Sequence, residues 1–529
     1  MSLAEWFDGI VSGPVAERPL AIFEGQRVSY REVRARAWSI GSALQRLGAS
    51  GERVVTMLPN NPELLSIQLA VLHAGGVVVP VIEEGTPEEM RYFVDDAEAS
   101  IVFATRLRWE SIAPVLRTIP RIVVLTDAEG PIVGGQGATV HSLAELEAQG
   151  ADLGLDPVHV PNTDPMALMY TSGSTARPKG VIVDAASFIR AAEIQPDFLG
   201  LREGENVLGV LQLFHIGGWH QSLAVALGCR GGLMMQRRFS ASRFWQDVDA
   251  APAVGGLLVP AMVSILLACP ERDDDADHPL RVVYTHWGVD AFEQRFGVEI
   301  VPLWGQTESA GLITSGVAGG REQLSRYVGR PAPGVQLDIR DMAGRAVPIG
   351  KTGEICVRSP WLMKGYWRDP PLTAKTLKDG WLHTGDLGHL DEDGRLFFDS
   401  RLKTMIKRAG ENISAVEVEV AIVAHPDITE CVCFSVPDPI RTEEVKAVLV
   451  LRPGAAVDFS ALVGFCRERL AEFKIPRYWE VRPEMPRTRS LKVALPALRA
   501  EHLVHAGWDR TLAAEGETHA ADARKARSG

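Results

Sequence analysis

The stretch with the clearest chemical content is the loop YTSGSTARPKGV, residues 170–181. It combines hydroxyl side chains, glycines and one lysine, and such groups can surround phosphate oxygens together with backbone N–H groups. It is not a Walker A motif, because that motif needs glycine before its lysine and serine or threonine after it. Here Pro178 and Gly180 flank Lys179. Taken alone, the loop is better interpreted as a solvated turn.

Five further motifs follow this loop, and each contains polar residues suited to binding a substrate. They are LWGQTES (303–309), GEICVRSPWLMKGYW (353–367), GWLHTGDLG (380–388), RLKTMIKRAGENIS (401–414) and PRTRSLK (486–492). The six motifs in this order resemble the adenylate-forming superfamily, which comprises acyl-CoA synthetases, peptide-synthetase adenylation domains and luciferases. The resemblance extends from Ser29 to Lys492, so it covers nearly the whole chain.

The resemblance implies a two-step ligase. Such an enzyme activates a carboxylic acid with ATP and Mg²⁺ to an acyl-adenylate, releasing pyrophosphate, and then passes the acyl group to the thiol of coenzyme A. A small C-terminal domain rotates between the two half-reactions. The family also contains enzymes that load a carrier protein, and peptide-synthetase domains hold an amino group with an aspartate early in the pocket. The corresponding stretch here, FHIGGWH (214–220), has no carboxylate, which favours an acyl-CoA ligase.

The resemblance also assigns the nucleotide-binding residues. Trp304 would lie against the adenine, and Asp386 with Arg401 would bind the ribose hydroxyls through charge-assisted hydrogen bonds. Thr307 would contact the α-phosphate, and Glu308 would help to hold Mg²⁺, a hard cation that prefers carboxylate and phosphate oxygens. The β- and γ-phosphates would be held by Thr171, Ser172, Gly173, Ser174, Thr175 and Lys179.

Three residues of the C-terminal part receive roles in the same way. Lys492 would neutralise charge on the acid and the α-phosphate during adenylation. Gly410 would let the pantetheine arm of CoA pass close to the backbone, where a side chain would obstruct it. Thr404 stands at the hinge position, where the family has aspartate or lysine.

The acyl pocket is expected near residues 214–220. His215 stands where the family has a histidine that shapes the approach of the acyl group and the thiol. Gly217, Gly218 and Trp219 would line the pocket, and such an apolar lining favours a hydrophobic acid; core packing is the alternative for Trp219. A zinc site at His215 and His220 is disfavoured, because no third ligand is evident.

The sequence departs from the family pattern at positions that bear on adenylation. Ala176 replaces a glycine of the phosphate loop, so a methyl group stands near the polyphosphate and φ is restricted. Leu491 replaces the glycine before Lys492. The adenine loop is shortened to His286-Trp287-Gly288. We therefore hypothesise, as an alternative, a ligase that mainly converts a pre-formed acyl-adenylate, supplied by a separate enzyme, into the acyl-CoA.

Two more functions are compatible with the same motifs. One is that of a stand-alone adenylating enzyme that loads the phosphopantetheine arm of a carrier protein. The second is that of a non-catalytic protein that binds an adenylate.

The elements that must position these residues follow a recognisable pattern. Up to about residue 400, short apolar runs such as SIVFAT (100–105) and RIVVLTD (121–127) alternate with helical stretches, which predicts doubly wound parallel sheets. Short alternating strands between Gly329 and Phe398 predict an antiparallel, barrel-like element. We expect an N-terminal domain of residues 1–402, a mobile α+β domain of residues 403–510 that ends on the strand YWEVR (478–482), and a disordered tail of residues 511–529.

Composition limits the function classes. The chain has 529 residues and a net charge of −12 without a basic cluster, which argues against nucleic acid as a partner. Cys431 and Cys433 stand in an apolar run and are expected to pack in a core. The apolar segment 64–82 contains Gln68, His73 and a Gly-Gly pair, so a helix, a turn and a strand explain it better than a membrane span. With no signal peptide evident, we expect a soluble, cytoplasmic protein.

Overall fold

The structure is a computed structural model. It describes residues 1–128, 137–171, 177–286, 288–320, 326–402, 404–409, 411–488, 492–502 and 507–512.

Two large, mainly parallel sheets form the first part of the chain. Among the described residues, one sheet has nine strands, in the spatial order Arg330–Pro331, Gly311–Ser315, Glu299–Gln306, Val282–Thr285, Ala253–Leu257, Asn206–Gly209, Leu233–Met235, Pro19–Phe23 and Gln26–Ser29. The other has eight, in the order Gly365–Tyr366, Lys179–Asp184, Pro165–Thr171, Val77–Pro80, Arg53–Met57, Ile101–Ala104, Ile122–Leu125 and Thr139–Ser142. Antiparallel pairings occur towards the edges of both sheets.

Helices cover both faces of these sheets. In the described part of the chain the α-helices are Leu3–Ile10, Tyr30–Arg46, Pro62–His73, Pro87–Asp96, Arg106–Ile112, Leu143–Leu153, Ala185–Phe198, Ala224–Gly228, Ala241–Ala250, Pro260–Leu267, Asp290–Phe296, Pro370–Thr376, Ala415–Val423, Phe459–Arg467 and Leu495–His502. Single 3₁₀ turns occupy Gly13–Glu17, Ala113–Val115, Thr307–Ser309 and Glu472–Lys474, and Gly218–Leu223 is a π-helical turn.

Neighbouring residues of the strands contribute to different cores. Val54 packs in the largest core, whereas Val55 packs in the core beyond the eight-stranded sheet. Ala21 and Ile22 alternate in the same way for the nine-stranded sheet. Since successive side chains of a strand point to opposite faces, both sheets are buried on both faces. This confirms the doubly wound parallel sheets that the apolar runs predict.

A third sheet carries the middle motifs. Its antiparallel strands are Gln336–Arg340, Gly353–Arg358, Trp381–Leu390 and Leu377–Lys378 in spatial order, and Leu396–Arg401 pairs with Trp381–Leu390. The predicted antiparallel element therefore lies where the alternating strands place it.

The C-terminal part is a smaller α+β unit with its own core. Its sheet has the order Glu411–Ile413, Ile406–Arg408, Thr442–Leu451, Tyr478–Arg482 and Trp508–Asp509, and Ile428–Asp438 pairs with Thr442–Leu451. Cys431 and Cys433 are buried in this unit, with their Sγ atoms 3.8 Å apart and no disulfide between them. This confirms that the two cysteines pack in a core.

The prediction that YWEVR is the final strand of this unit is wrong. The strand YWEVR is not its last element, because the helix Leu495–His502 and the strand Trp508–Asp509 follow it, and Trp508 pairs with Trp479. A two-residue strand is too short to produce an alternating pattern. Of the predicted tail, residues 511 and 512 are described, and residues 513–529 lie outside the described residues.

The apolar segment 64–82 folds as predicted. The helix Pro62–His73 is followed by a turn at Gly75, whose φ is +71°, and by the strand Val77–Pro80. Within the described ranges, no helix combines the length and apolar character that crossing a membrane requires.

Candidate active site

A buried carboxylate forms the centre of the site. Asp386 and Arg401 are directly opposite each other on two antiparallel strands. Arg401 Nε lies 3.3 Å from Asp386 Oδ1, and the indole N–H of Trp304 donates to Asp386 Oδ2 over 3.2 Å. Burial raises the pKa of Asp386 to about 6, although Arg401 and Trp304 oppose the increase. The three residues that the sequence assigns to adenine and ribose therefore meet, and they present one carboxylate with a partly exposed guanidinium beside it.

Asp386 lies in a bulged turn, Thr384–Asp386, within the strand Trp381–Leu390, and a second carboxylate holds this turn. Glu354 accepts a hydrogen bond from Gly385 N over 3.0 Å, and its other oxygen lies 2.8 Å from His383 Nδ1. Thr384 Oγ1 donates to the carbonyl of Ile355 and accepts from the N–H of Asp386. These bonds fix the turn Thr384–Asp386 against the neighbouring strand. Sequence reasoning assigned no role to Glu354, although it stands inside the motif at 353–367.

A ligand set for a metal is also possible at this turn. Within the described residues, one group of three His, Cys, Asp or Glu side chains has its possible ligand atoms within 4.8 Å of one another. It consists of Glu354, Cys356 and His383. Burial raises the pKa of the Cys356 thiol to about 12, so the thiolate that zinc would require is disfavoured. The hydrogen bonds of Glu354 account for this group without a metal.

The expected phosphate loop connects two antiparallel strands. Thr171 ends the strand Pro165–Thr171 and is paired with Lys179, the first residue of the next strand. A hairpin connection differs from a Walker A loop, which joins a strand to a helix. Ser172, Gly173, Ser174, Thr175 and Ala176 lie outside the described residues.

Lys179 and Glu308 approach the same tyrosine. The Nζ atom of Lys179 lies 5.7 Å from the ring centroid of Tyr366, whose hydroxyl donates to Glu308 Oε1 over 2.9 Å. Thr307 and Glu308 stand on the 3₁₀ turn that follows the strand Glu299–Gln306. A cation and a carboxylate thus converge at the end of the site where the phosphates are expected. Tyr366 was missed, although the motif KGYW contains it.

Lys492 reaches this site from the C-terminal unit. Its side chain is accessible to solvent, yet enough protein surrounds it that burial is the main cause of a lowered pKa, followed by the charge of Arg401. Glu308 acts in the opposite direction. The charge of Lys492 also contributes to lowering the pKa of His215 and of His286. Lys492 therefore lies close enough to interact by charge with Arg401, Glu308, His215 and His286, and we call the region among these five residues the cleft.

Two histidines border this cleft in the neutral state. Burial is the main cause that lowers the pKa of His215 to about 3 and that of His286 to about 4. His215 Nε2 is buried without a hydrogen-bond partner among the described residues. The shortened adenine loop drew attention to His286 only as a departure from the family pattern, and Trp287 lies outside the described residues.

The residues expected to line the acyl pocket are all buried. Trp219 donates its indole N–H to the carbonyl of Leu213 over 2.8 Å and packs edge-on against Phe188. A Cβ on Gly218 would lie 2.3 Å from the carbonyl oxygen of Gln212. Trp219 and Gly218 therefore fix the turn that holds His215. A Cβ on Gly217 would meet the side chains of Leu211 and Leu257.

The remaining predicted residues belong to the connection between the two parts. The backbone N–H of Thr404 donates to the carbonyl of Arg401 over 3.0 Å. Gly410 and Leu491 lie outside the described residues.

Two protein-family models match this chain, and they agree with the resemblance that the six motifs indicate. The family model "AMP-binding enzyme" matches residues 12–367, and the model "AMP-binding enzyme C-terminal domain" matches residues 417–492. A crotonobetaine/carnitine–CoA ligase of Escherichia fergusonii is 31% identical over 487 residues, which cover 89% of this chain and 93% of that protein. A ligase of the same name from Escherichia coli is 32% identical over 482 residues, covering 88% and 92%.

Solved structures agree in fold. ATP-bound MatB from Rhodopseudomonas palustris has a TM-score of 0.83 at 26% identity, covering 95% of this chain and 99% of that chain. The anthranilate CoA ligase AuaEII, solved with anthranoyl-AMP, has a TM-score of 0.85 at 24% identity, covering 96% and 98%; at that identity it supports the fold alone. The chain therefore belongs to the AMP-binding enzyme family, the AMP-forming acid–thiol ligases of the adenylate-forming superfamily.

Proposed function

We propose that this ligase uses ATP to adenylate a hydrophobic carboxylic acid and then transfers the acyl group to coenzyme A. The observation that carries the proposal is the position of Lys492. It comes from the C-terminal unit, and its charge interacts with Arg401, Glu308 and His215 of the large part. A cation, a ribose-binding carboxylate and a metal-binding carboxylate are the groups that an adenylation site needs.

In the first half-reaction, a carboxylate oxygen of the acid attacks the α-phosphorus of ATP. The bond from that phosphorus to the bridging oxygen breaks, and pyrophosphate leaves. Lys492 would stabilise the negative charge that builds up on the α-phosphate oxygens, and Thr307 would donate to one of them. Asp386 would accept from the ribose hydroxyls, while Thr171, Lys179 and the loop after Thr171 would hold the departing phosphates.

Glu308 fits one ligand position for Mg²⁺. Its carboxylate accepts from Tyr366, which orients it, and such an ion is usually bound by one or two carboxylates together with phosphate oxygens. The ion would supply charge neutralisation on the polyphosphate.

In the second half-reaction, the sulfur of CoA attacks the acyl carbon, the bond from that carbon to the phosphate oxygen breaks, and AMP leaves. The thiol proton passes to solvent. His215 is neutral in its buried site, so it would shape this approach without adding charge. We assign the hinge to Thr404, the pantetheine passage to Gly410, and the mobile domain to residues 403–510.

The nature of the acid is the second part of the proposal. Gly217, Gly218 and Trp219 offer no charged group beside His215, which supports a hydrophobic acid. The relatives are named for crotonobetaine and carnitine, which carry a quaternary ammonium group. A direct test incubates the enzyme with ATP, Mg²⁺ and CoA and a panel of benzoate, anthranilate, hexanoate, malonate, crotonobetaine and carnitine. Mass spectrometry then identifies the CoA thioester. Preference for crotonobetaine, carnitine or malonate over benzoate, anthranilate and hexanoate would contradict the hydrophobic assignment.

A second candidate function is thioesterification of a pre-formed adenylate. Ala176 and Leu491 favour it, because both replace glycines close to groups needed only for adenylation. The same panel, offered as synthetic acyl-adenylates without ATP, separates the two candidates. Thioester formed from the adenylates but never from the free acids with ATP would establish the second one. Acylation of a carrier protein in place of CoA would identify a loading enzyme, and tight binding of adenylates without turnover would identify a binding protein.

A further inference from the structure

Lys492 lies in one of two paired arms, residues 486–488 and 492–494, which together we call the Lys492 hairpin. Its two arms pair at Arg487 and Val493. The N–H of Ala494 donates to the carbonyl of Pro486, and the N–H of Thr488 donates to the carbonyl of Lys492, both over 2.7 Å. An isolated two-stranded hairpin is only marginally stable in water. The direction in which Lys492 points must therefore depend on what the hairpin contacts.

Apolar contacts attach the hairpin to one face of the strand Ile428–Asp438. Val432 and Phe434 of that strand pack in one cluster with Met485, and Val493 packs against the same cluster. Such contacts hold the hairpin close to the sheet, but dispersion and burial have little directional preference. A polar contact is needed to fix its orientation.

The same face of the strand supplies that polar contact. Glu430 precedes Val432 by two residues, so its side chain lies on the face that the hairpin covers. Glu430 Oε2 lies 2.7 Å from Arg487 Nη2, and the two side chains are only 16% and 17% exposed. Burial raises the pKa of Glu430, and Arg487 opposes the increase. A charge-assisted hydrogen bond of this kind is both strong and directional.

We propose that the Glu430–Arg487 ion pair is the positioning contact that aims the Lys492 hairpin at the adenylation site. The inference rests on the proposed role of Lys492 in adenylation. Arg487 is opposite Val493 on the hairpin. A rotation of the hairpin about its apolar contacts would therefore break the ion pair before Lys492 moved a long distance. Because thioesterification does not require Lys492, the pair affects only the first half-reaction.

The test compares full-length variants in both half-reactions. Glu430→Gln and Arg487→Met each remove the charge of one partner at nearly constant size, and Arg487→Lys keeps the cation. Asp509→Asn is the matched control, because Asp509 pairs with Arg477 over 2.9 Å at 10% and 21% exposure in the same sheet. Two strands, Thr442–Leu451 and Tyr478–Arg482, separate Asp509 from Ile428–Asp438. Arg477 also pairs with Asp438 over 3.0 Å, at the opposite end of that strand from Glu430.

Adenylation is measured as ATP–pyrophosphate exchange with benzoate and with crotonobetaine, and thioesterification as CoA thioester formed from their synthetic adenylates. A displacement of about 1 Å in a catalytic group can cost on the order of 100-fold in rate. We therefore expect Glu430→Gln and Arg487→Met to slow exchange by roughly 10- to 100-fold and to leave thioesterification within about twofold of wild type. Arg487→Lys should recover part of the loss, and Asp509→Asn should change neither rate.

Hydrogen–deuterium exchange of the peptide covering residues 485–495 gives a readout that does not depend on activity. Both charge-removing variants should speed exchange in this peptide, and Asp509→Asn should not. Equal losses in both half-reactions, or unchanged exchange in the hairpin, would overturn the inference. If the wild-type enzyme shows no pyrophosphate exchange with either acid, the proposed adenylation lacks support in that assay, and the hydrogen-exchange result alone decides whether the ion pair holds the hairpin.

Discussion

At the scale of single residues, the site depends on charges held in a partly buried cleft. Asp386 is 3% exposed, and its pKa is raised to about 6 even with Arg401 beside it. Lys492 has a lowered pKa for the same main reason, desolvation. Desolvation makes the charged forms of these groups unfavourable in the free protein. A bound substrate that supplies hydrogen bonds or opposite charge therefore stabilises them most.

Replacing Lys492 by alanine should separate the two half-reactions. Loss of one preorganised donor from a site of developing charge typically costs roughly 100- to 1,000-fold in rate. We expect that loss in ATP–pyrophosphate exchange, with formation of CoA thioester from a synthetic acyl-adenylate reduced by no more than a few-fold. Lys492→Arg, which keeps the positive charge, should retain more exchange activity than the alanine variant. A similar loss in both half-reactions would contradict the assigned role.

Binding of adenosine should weaken in acid because of Asp386. The ionised carboxylate accepts strong, charge-assisted hydrogen bonds from both ribose hydroxyls, whereas the protonated group accepts more weakly. The folded-state pKa of Asp386 is about 6. Affinity should be constant well above pH 6 and should fall as the pH decreases through that value, approaching about tenfold per pH unit. Adenosine is the suitable ligand because it has no phosphate to titrate. Calorimetry on wild type and on Asp386→Asn checks the assignment: the variant should bind weakly with a flat profile, and an unchanged pH dependence in it would implicate another group.

At the scale of elements, short turns fix the functional side chains. The turn Thr384–Asp386 is fastened by Glu354, and the turn before the π-helical segment Gly218–Leu223 holds His215. In the second turn two backbone segments touch, since a Cβ on Gly218 would lie 2.3 Å from the carbonyl oxygen of Gln212. Glycine is required at position 218 because there is no space for a side chain, and not because of its φ.

Alanine at Gly218 and at Gly217 should therefore have different effects. At Gly218 the added methyl group meets backbone, which cannot move without shifting the turn, and overpacking of this kind costs about 1–3 kcal/mol. At Gly217 it meets the ends of Leu211 and Leu257 side chains, which can change rotamer, so the cost should lie at the lower end of that range, about 1 kcal/mol. Chemical denaturation followed by fluorescence measures both free energies of unfolding. Equal destabilisation would show that the Gln212 contact relaxes easily.

At the scale of the whole molecule, the site is completed only when the two parts of the chain meet. Asp386 and Arg401 end the large part, Thr404 follows, and Lys492 returns from the far side of the small unit. Ser414 connects the parts, because its hydroxyl donates to the carbonyl of Asp399 while it caps the helix Ala415–Val423. This arrangement brings Lys492 to the proposed nucleotide site, and in the proposed mechanism CoA approaches in another orientation of the small unit.

Proline at Thr404 should impair thioesterification more than adenylation. Proline fixes φ and removes the N–H that donates to Arg401. If Thr404 is the hinge as proposed, this restricts rotation of the small unit, which the proposed mechanism requires only for the second half-reaction. Thr404→Ala, which keeps the N–H and the freedom of φ, is the control. The measured quantity is the ratio of the thioesterification rate to the pyrophosphate-exchange rate, which should fall at least about tenfold in the proline variant. An unchanged ratio would exclude Thr404 as the hinge.

Much of this protein follows from its sequence alone. Apolar runs of four or five residues between helices determine two parallel sheets, because only strands buried on both faces are apolar throughout. The ordered motifs determine the family, and with it the expectation that Asp386, Arg401 and Trp304 meet. Local burial rules that act over a few residues produce the strands, whereas the meeting of Trp304 with Asp386, 82 residues apart, was expected from the family resemblance and not from a local pattern.

Other features were decided only by the tertiary structure. The pairing of Tyr366 with Glu308 and that of Glu430 with Arg487 join residues far apart in the chain, which no local pattern encodes. The short strand Trp508–Asp509 exists because Tyr478–Arg482 offers it an edge. Burial raises the pKa of Asp386 and lowers that of His215, and burial depends on how the sheets and the small unit pack around the cleft. The sequence thus predicted which residues would do the chemistry, and packing decided their orientation and their charge.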